Sequence, residues 1–547
     1  MRLALFFLSA SLLAQQPVHI RVNASQKLGT FPSNWNLFGY DEPNYTYAPN
    51  GRKLIRELSA LSSKRVQIRA HFLLTTGDGT PAFKWGSTNV YTEDASGKPV
   101  YDWTIVDRIL DTYAQAEVNP LVEIGFMPKA LSTHPDPYVP VWKPGDKFDH
   151  YYAGWAYPPN NYDKWSELVY QVVKHAVAKY GKAKVEDWNW EVWNEPNGGY
   201  WRGTPEEYDK LYDSTAAAVK RALPTTHVGG PATTGPANPK AAAFLKQFLE
   251  HCEKSDAPLD FISYHAKGRP DVTDAHVRMG ISKELADTEA GFKIVGSFAK
   301  FRNLPIILTE ADPEGCAACS ARVYPPNAYR NGTLYPAYEA ATYNGMLQLQ
   351  ERHRVNLEGI LTWAFEFEDQ PYFDGFRTLA TNGIDKPVLN FFRMLGILTG
   401  GDRIHTQSDG AVGLDTMLTA GVREHPTVDA LATRSAHGIT VLVWNYQDED
   451  VAGPAATVDV EVDGLPKDIR HVLVRHYRID QDHSNAYTVW KKMGSPQHPN
   501  AEQYATLESA GQLQLLDSPL WFTSTGGKSS IPFSLPLQAL SLLEISW

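Results

Sequence analysis

The sequence predicts a (β/α)8 barrel of the TIM type with a C-terminal β-sandwich. From about residue 30 to residue 400, short apolar segments alternate with longer amphipathic ones. After residue 400, short β-rich segments follow one another between turn residues. Alternating strands and helices indicate a parallel sheet, eight such pairs suit a closed barrel, and successive short strands indicate a sandwich. We therefore expect a barrel over residues 31–400 and a sandwich over residues 401–547.

Eight apolar segments are expected to form the barrel strands. In chain order they are NWNLFGYD (34–41), KRVQIRAHFLL (64–74), NPLVEIGFM (119–127), VEDWNWEVW (185–193), HVGGPA (227–232), LDFISYHA (259–266), LPIILTEA (304–311) and LEGILTWAFEF (357–367). The segments between them have helical spacing, as in 162–181, where Trp165, Leu168 and Val169 share one face and Gly181 suits a C-cap. Active sites of such barrels lie at the C-terminal ends of the strands.

The first sixteen residues have the pattern of a secretory signal peptide. Arg2 supplies a positive start, and residues 3–14 are almost wholly apolar. That stretch is too short to span a membrane, which needs ~20 residues. A buried first strand or helix is the alternative. We expect a signal peptide over 1–16, export to the periplasm or the medium, and a strand within 17–30 that joins the sandwich.

Composition and cysteine count exclude several classes of protein. The formal net charge of -11 leaves no basic field for a nucleic acid partner, and no later segment is apolar enough to cross a membrane. The three cysteines supply no second pair of zinc ligands, so we expect no metal site. Cys316 and Cys319 form either a local disulfide or two free thiols. The oligomeric state is not predicted.

The most specific motif is WNWEVWNEPN (188–197), which ends an apolar strand. Glycoside hydrolysis needs two carboxylic side chains that flank the scissile bond. Glu195 follows the fourth predicted strand and Glu310 ends the seventh, so the barrel would bring them together. Glu191 lies within its strand, away from the C-terminal end, and is expected to be a structural partner of Arg69.

Several long motifs are similar to those of a known family: QIRAHFLL, NPLVEIGFMP, WNWEVWNEPN, DFISYHAKG, ILTEADP, NGIDKPVLNFFRMLG and HYRIDQDHSNAYTVWKKMGSPQ. On these residues the chain resembles glycoside hydrolase family 39, which contains β-xylosidases and α-L-iduronidases. The resemblance covers nearly all of the mature chain. It implies a (β/α)8 barrel with a β-sandwich, hydrolysis with retention, and no metal or organic cofactor. It also implies that Glu195 is the acid/base and Glu310 the nucleophile.

These roles lead to further expectations. A retaining pair should stand ~5–5.5 Å apart. Glu195 must start protonated, whereas Glu310 must stay ionised, helped by cations such as Arg69. Asn194 is expected to bond the sugar 2-hydroxyl, a contact that strengthens in the transition state. Trp363, at the end of the eighth strand, is expected to form the floor of the −1 subsite, which holds the sugar to be released.

Four further side chains bear on the choice of sugar. His71 and His265 resemble family positions that bind sugar hydroxyls. Lys267 in SYHAKG and Arg377 in FRTL resemble the iduronidases, which grip the substrate carboxylate with a lysine and an arginine. These two side chains are thus a candidate uronate clamp. The alternative is that Lys267 pairs with a neighbouring acid such as Asp312 or Glu314 and that the acidic run 365–369 neutralises Arg377.

A neutral sugar is favoured by the segment 360–390, which is similar to bacterial family members usually described as β-xylosidases. We therefore expect a retaining exo-acting β-D-xylosidase that releases xylose from xylo-oligosaccharides, with an oligosaccharide or glycoside as its partner. One alternative is an α-L-iduronidase-like uronate hydrolase. Others are another neutral glycosidase such as an arabinosidase, an enzyme that cleaves inside long polysaccharides, and, in a different class, an inactive carbohydrate-binding protein.

Overall fold

The computed structural model describes residues 16–273, 276–363, 366–436 and 438–547. Eight parallel strands close into a barrel, each pairing with the next in sequence and the eighth with the first. They are Leu37–Tyr40, Gln67–Ala70, Asn119–Ile124, Asn189–Val192, His227–Thr233, Phe261–Lys267, Pro305–Asp312 and Asn356–Trp363. The predicted TIM barrel is thus confirmed. The predicted signal peptide lies outside the described residues except for Gln16.

A helix follows each barrel strand. These helices are Pro49–Ser59, Thr104–Gln115, Tyr162–Tyr180, Pro205–Ala222, Pro239–Ser255, Ile281–Gly296, Leu334–His353 and Pro387–Leu398. Side-chain caps explain where the third and fourth begin: the Asn161 side chain accepts bonds from two backbone N–H groups, and Thr204 and Glu207 form a capping box. Among the described residues, no helix is long and apolar enough to cross a membrane.

Ten strands form a second sheet. They are Val18–Thr30, Asp402–Ser408, Thr427–Arg434, Gly438–Tyr446, Ala456–Asp463, His471–Ile479, Gln514–Leu515, Leu520–Thr523, Lys528–Leu535 and Ala539–Ser546. The first of these precedes the barrel in sequence, yet it pairs antiparallel with Asp402–Ser408 and parallel with Ala456–Asp463. The N-terminal strand is therefore part of the C-terminal sheet.

Side chains along this sheet alternate between two apolar cores. Val441 and Val443 lie in a core that the sheet encloses, together with Val460 from a distant strand in the sheet order. Leu442 and Trp444, on the opposite face of the same strand, pack into the core of the barrel. Strand side chains point to opposite faces with a period of two, so one strand serves both cores. The sheet is thus a sandwich with its own apolar core, and its outer face packs against the barrel.

The C-terminal region also contains helices where the sequence predicts only strands. The remaining α-helices are Lys182–Val185, Leu414–Ala420, Ala486–Lys492 and Ala501–Ala510, and the hairpins are Tyr91–Glu93 with Pro99–Tyr101, Asp271–Thr273 with His276–Arg278, and Ala380–Thr381 with Ile384–Asp385. Short 3-10 helices span Pro43–Tyr45, Lys129–Leu131, Phe148–His150, Gly154–Ala156 and Pro325–Asn331. Trp490 and Leu507, from the last two helices, pack with Phe373. Burial of these apolar side chains against the barrel region stabilises the helical insertion.

Candidate active site

A cavity of about 230 Å³ opens at the carboxyl ends of the barrel strands, where TIM-barrel active sites lie. It is lined by Asp41, Lys84, Phe148, Tyr152, Asn194, Glu195, Tyr200, Lys267, Glu310, Gly315, Cys316 and Trp363. Five of these residues are expected from the sequence to act on the substrate: Asn194, Glu195, Lys267, Glu310 and Trp363. The barrel therefore brings together candidate residues that lie far apart in the chain.

The two candidate catalytic carboxylates share this cavity. Glu310 lies near the end of the seventh barrel strand, and Glu195 follows the fourth. A carboxylate oxygen of Glu195 and one of Glu310 lie within 4.8 Å of each other. This separation fits the ~5–5.5 Å between the carboxyl groups of retaining glycosidases better than the ~6.5–9.5 Å of inverting ones.

The backbone is strained where it presents Glu195. Trp193 and Glu195 have φ angles of 70° and 43°, a region that residues with a side chain rarely adopt. Such a conformation costs about 1–3 kcal/mol per residue and persists only when the surroundings hold it. Here the Glu195 amide donates to the Ala232 carbonyl at 2.9 Å, and the Trp193 indole donates to the Tyr200 carbonyl at 2.9 Å. The strained turn places the Glu195 carboxyl in the cavity.

Basic side chains surround Glu310. Lys267 Nζ lies 2.7 Å from Oε2, and Arg69 Nη1 lies 3.2 Å from Oε1. His71 Nε2 and His265 Nδ1 lie 3.4 Å and 3.7 Å from the same carboxylate. Burial acts to raise the pKa of Glu310, but the charges of His265 and Lys267 outweigh it and hold the pKa well below its usual range. Glu310 is therefore ionised, as a nucleophile must be.

Glu195 occupies a different environment. Its side chain is 22% exposed, against 8% for Glu310. Its Oε1 lies 2.9 Å from His265 Nδ1, and this imidazole also lies near Glu310, so it stands between the two carboxylates. A partly exposed carboxyl can reach both a departing sugar oxygen and an incoming water, which an acid/base residue must do.

A metal ion is a less suitable occupant of this site. One ligand atom each of Glu195, His265 and Glu310 lie close enough together to hold a cation. However, Lys267 and Arg69 already contact the Glu310 carboxylate, and their positive charges would repel a metal ion there. The donor set therefore suits proton transfer and nucleophilic attack.

Arg69 is the centre of the buried network behind the cavity. Its Nε donates to Glu191 at 2.6 Å, as expected for a structural partner within the barrel. Its Nη2 lies 2.8 Å from Glu123 and donates to Asn194 Oδ1 at 2.9 Å, and its Nη1 contacts Glu310. The five donors of a guanidinium suit this divergent arrangement, which a lysine could not reproduce. Arg69 thus positions Asn194 and Glu310 together.

Replacing Arg69 by methionine is expected to lower the free energy of unfolding by about 3–5 kcal/mol, because buried carboxylates lose their cation. Urea denaturation followed by circular dichroism measures this loss. Adding Glu191→Gln to Arg69→Met removes one of the buried carboxylates that have lost their cation, and it should restore part of the free energy of unfolding. An Arg69→Met protein within about 0.5 kcal/mol of wild type, the range usual for surface substitutions, would contradict this account of the network.

The two histidines predicted to contact sugar hydroxyls lie behind the cavity lining. His71 and His265 are 1% and 0% exposed. His71 Nδ1 bonds Glu123, and its Nε2 lies 2.9 Å from Asp41. Burial acts to lower the pKa of His71, but the charge of Glu123 and the bond to Asp41 raise it well above its usual value. In this arrangement both imidazoles contact carboxylates of the site rather than open cavity, and their contacts with sugar hydroxyls stay a prediction.

The two side chains of the predicted uronate clamp lie in different surroundings. Arg377 is fully buried, forms an ion pair with Asp312, and places Nε 2.8 Å from Glu314 Oε1. Lys267 bonds the same Asp312 while its ammonium lines the cavity. Lys267 therefore reaches the cavity, whereas Arg377 lies behind the lining and holds Asp312. Among the described residues, the acids that contact Arg377 belong to the seventh strand and its loop, whereas no ion pair joins it to Glu366, Glu368 or Asp369 of the acidic run.

Trp363 lines the cavity at the end of the eighth barrel strand. Its ring lies against Gly39 of the first strand, where a Cβ atom would stand 1.6 Å from the ring. Only glycine leaves room for the indole there. Arg69 and Lys267 hold their charged groups 5.6 Å and 5.7 Å from the ring centroid, and cation–π attraction helps to orient the indole.

Cys316 and Cys319 form a disulfide, which decides between the two alternatives that the sequence leaves open. Arg330 donates to the backbone carbonyls of both cysteines at 2.9 Å. Because Cys316 lines the cavity, this fastened loop forms part of its wall.

Sequence reasoning missed several cavity residues. Asp41 directly follows the first barrel strand, so the rule that functional side chains lie at strand ends would have identified it. Lys84 lies in a long connection, where no local pattern marks a residue as part of the site. Phe148 and Tyr152 lie in the segment 128–163, whose proline and aromatic residues predict an ordered wall around the site, although no pattern singles out these two positions. Tyr200 lies three residues after the motif WNWEVWNEPN (188–197), and its ring lies 6.2 Å from that of His71.

Comparison with known proteins gives matches over almost the whole chain. The model of the family described as glycosyl hydrolases family 39 matches residues 18–526. A Beta-xylosidase of Geobacillus stearothermophilus is 29% identical over 88% of this chain and 88% of its own. An Alpha-L-iduronidase of Mus musculus is 23% identical over 98% of this chain and 82% of its own.

Solved structures show the same fold. The GH39 enzyme from Xanthomonas axonopodis pv. citri superposes with a TM-score of 0.76 at 21% identity, covering 99% of both chains. A monomeric beta-xylosidase from Caulobacter crescentus CB15 gives a TM-score of 0.75 at 22% identity over 96% of this chain and 99% of that one. The family match and the carboxylate pair together identify a glycosidase, and the chain belongs to glycosyl hydrolases family 39.

Proposed function

We propose that the protein is a retaining, exo-acting β-D-xylosidase that releases xylose from xylo-oligosaccharides. The observation that carries the proposal is the pair Glu195 and Glu310, whose oxygens lie within 4.8 Å of each other in a cavity of about 230 Å³. Such a pair supplies both groups of a double displacement. The bacterial relatives described as β-xylosidases support the choice of sugar.

Each carboxylate has one role in each of two steps. First, the Glu310 carboxylate attacks the anomeric carbon and forms a glycosyl ester, while Glu195 transfers its proton to the departing oxygen. Second, the Glu195 carboxylate accepts a proton from water as the water oxygen attacks the same carbon, which releases Glu310. Asn194, held by Arg69, presents its amide to the sugar, where a bond to the 2-hydroxyl would strengthen in each transition state.

The charge balance of the cavity favours a neutral sugar. Two ammonium groups line it, and each already has acidic partners: Lys84 bonds Asp41, and Lys267 bonds Asp312 and contacts Glu310. A sugar carboxylate would have to compete with these anions for the same cations and would lie near them. A neutral pentose meets no such repulsion.

The size of the cavity favours attack at a chain end. A volume of about 230 Å³ lies below the ~300–1,000 Å³ typical of sites for drug-sized ligands and suits one sugar ring. Phe148, Tyr152 and the disulfide loop at Cys316 form its walls. A site with room for one ring favours release of single sugars, whereas cleavage inside a polysaccharide needs a long cleft.

A uronate hydrolase is the second candidate, because Lys267 Nζ reaches the cavity at the position expected for a carboxylate contact. In that case the substrate carboxylate would replace part of the contact between Lys267 and Glu310. The resemblance to iduronidases over nearly the whole chain supports this alternative.

Side-by-side turnover of aryl β-D-xyloside and aryl α-L-iduronide by the purified protein is the deciding measurement. We expect kcat/KM for the xyloside to exceed that for the iduronide by at least about 10²-fold, since a mispaired buried charge discriminates strongly. The Glu310→Ala variant, prepared in parallel, controls for contaminating glycosidases. Turnover of the iduronide alone would replace the proposed function by the second candidate.

A further inference from the structure

We propose that Asp41 and Lys84 form a specificity subsite that binds the hydroxyls on C3 and C4 of the sugar ring. This inference rests on the proposed function and extends it to the part of the sugar remote from the bond that breaks. Both residues line the active-site cavity, and both are buried, at 2% and 4% exposure. Their carboxylate and ammonium groups bond each other.

The pair has hydrogen-bonding capacity to spare. An ammonium has three donors, and Asp41 takes one of those of Lys84. A carboxylate has about four acceptor positions, and those of Asp41 serve Lys84 and, at 2.9 Å, His71 Nε2. A hydroxyl both donates and accepts, so two neighbouring sugar hydroxyls match the remaining donors and acceptors. Burial makes such unused capacity costly unless a ligand fills it.

The distance from the nucleophile indicates which hydroxyls are bound. His71 Nε2 lies 2.9 Å from Asp41 Oδ1 and 3.4 Å from Glu310 Oε1, so the edge of one imidazole separates the two carboxylates. With the anomeric carbon at Glu310 and the 2-hydroxyl at Asn194, the far side of a pyranose ring carries C3 and C4. That side reaches Asp41 and Lys84.

The pair is also held in a fixed geometry. Lys84 has a φ of 53°, and its backbone N–H bonds the Glu42 carboxylate. The rings of its neighbours Phe83 and Trp85 pack 4.8 Å from Phe367 and 5.3 Å from Phe72. Strained, anchored backbone is typical of binding sites and would be an expensive way to hold a merely structural lysine. A pre-organised pair discriminates between sugars because it does not adapt to a missing hydroxyl.

Aryl β-D-xylosides that lack the 3-hydroxyl or the 4-hydroxyl test this subsite. With wild type, at least one deoxy compound should lose about 10²-fold or more in kcat/KM relative to the parent, because buried polar groups stay unpaired. With Asp41→Asn or Lys84→Met, the parent should lose about 10²-fold, while the deoxy penalty shrinks to less than about 10-fold. Equal deoxy penalties in wild type and in the variants would overturn the proposal.

Asp385→Asn is the matched control. Asp385 is also buried and pairs with Arg393 at 2.7 Å, but it does not line the cavity. This variant should keep the deoxy penalty of wild type. If a single variant fails to fold, the double variant Asp41→Asn, Lys84→Met takes its place, because it removes both charges together. A wild-type enzyme with the same kcat/KM for both deoxy compounds as for the parent would refute the subsite without any variant. Absence of wild-type turnover of the parent xyloside would instead remove the proposed function.

Discussion

Glu310→Ala is expected to lower kcat on an aryl β-D-xyloside by about 10⁴-fold or more, since no ester can form. The structure strengthens this expectation. Glu310 is the carboxylate that Lys267 and Arg69 contact, and its removal leaves these two cations facing an empty position. A small anion should occupy that position, so azide should restore turnover of a substrate with a good leaving group.

The stereochemistry of the rescued product makes this test specific. Azide would attack from the side that Glu310 occupies, and the product should be the α-linked glycosyl azide, identified by NMR coupling constants. Glu310→Gln is the control, because its amide fills the space and should be as slow but should resist rescue. A β-linked azide as the sole product would show that Glu310 is not the nucleophile.

Glu195→Ala is expected to have an effect that depends on the leaving group. Loss of the general acid should lower the rate for an unsubstituted phenyl xyloside by about 10²–10⁴-fold, because a basic oxygen needs a proton to depart. A dinitrophenyl xyloside departs without that proton, so its first step should be almost unaffected. Steady-state and burst kinetics over a series of phenols measure the dependence.

Azide distinguishes this residue from the nucleophile as well. With Glu195 gone and Glu310 intact, the glycosyl ester forms and azide opens it in place of activated water, giving the β-linked product. Glu195→Gln should behave like Glu195→Ala in the leaving-group series. Equal rate losses for all leaving groups would contradict the assignment of Glu195 as the acid.

Much of the architecture could be predicted because each element carries its own pattern. Apolar segments such as 304–311 show where strands lie, and capped amphipathic segments such as 162–181 show where helices begin and end. The helices Ala486–Lys492 and Ala501–Ala510 are not predicted from the sequence, because they are short and gain their stability from packing on the barrel region.

The candidate site could be predicted in part for a similar reason. Glu195 and Glu310 end predicted strands, so the barrel rule alone places them at one rim. The surroundings of His71 and Arg377 were harder to predict, because the sequence gives the identity of a side chain but not its partners in space. In the structure, His71 contacts the carboxylates of Asp41 and Glu123. Arg377 contacts those of Asp312 and Glu314.

The sequence by itself therefore determined the barrel, its sandwich and the two carboxylates at strand ends, since periodicity and strand position are local properties of the chain. Tertiary structure alone decided which charges neutralise one another, which basic groups reach the cavity, and that Asp41 meets Lys84 there. The physical reason is that electrostatic interactions depend on distance in space. Only the closed barrel brings residues from separate connections to within hydrogen-bonding distance.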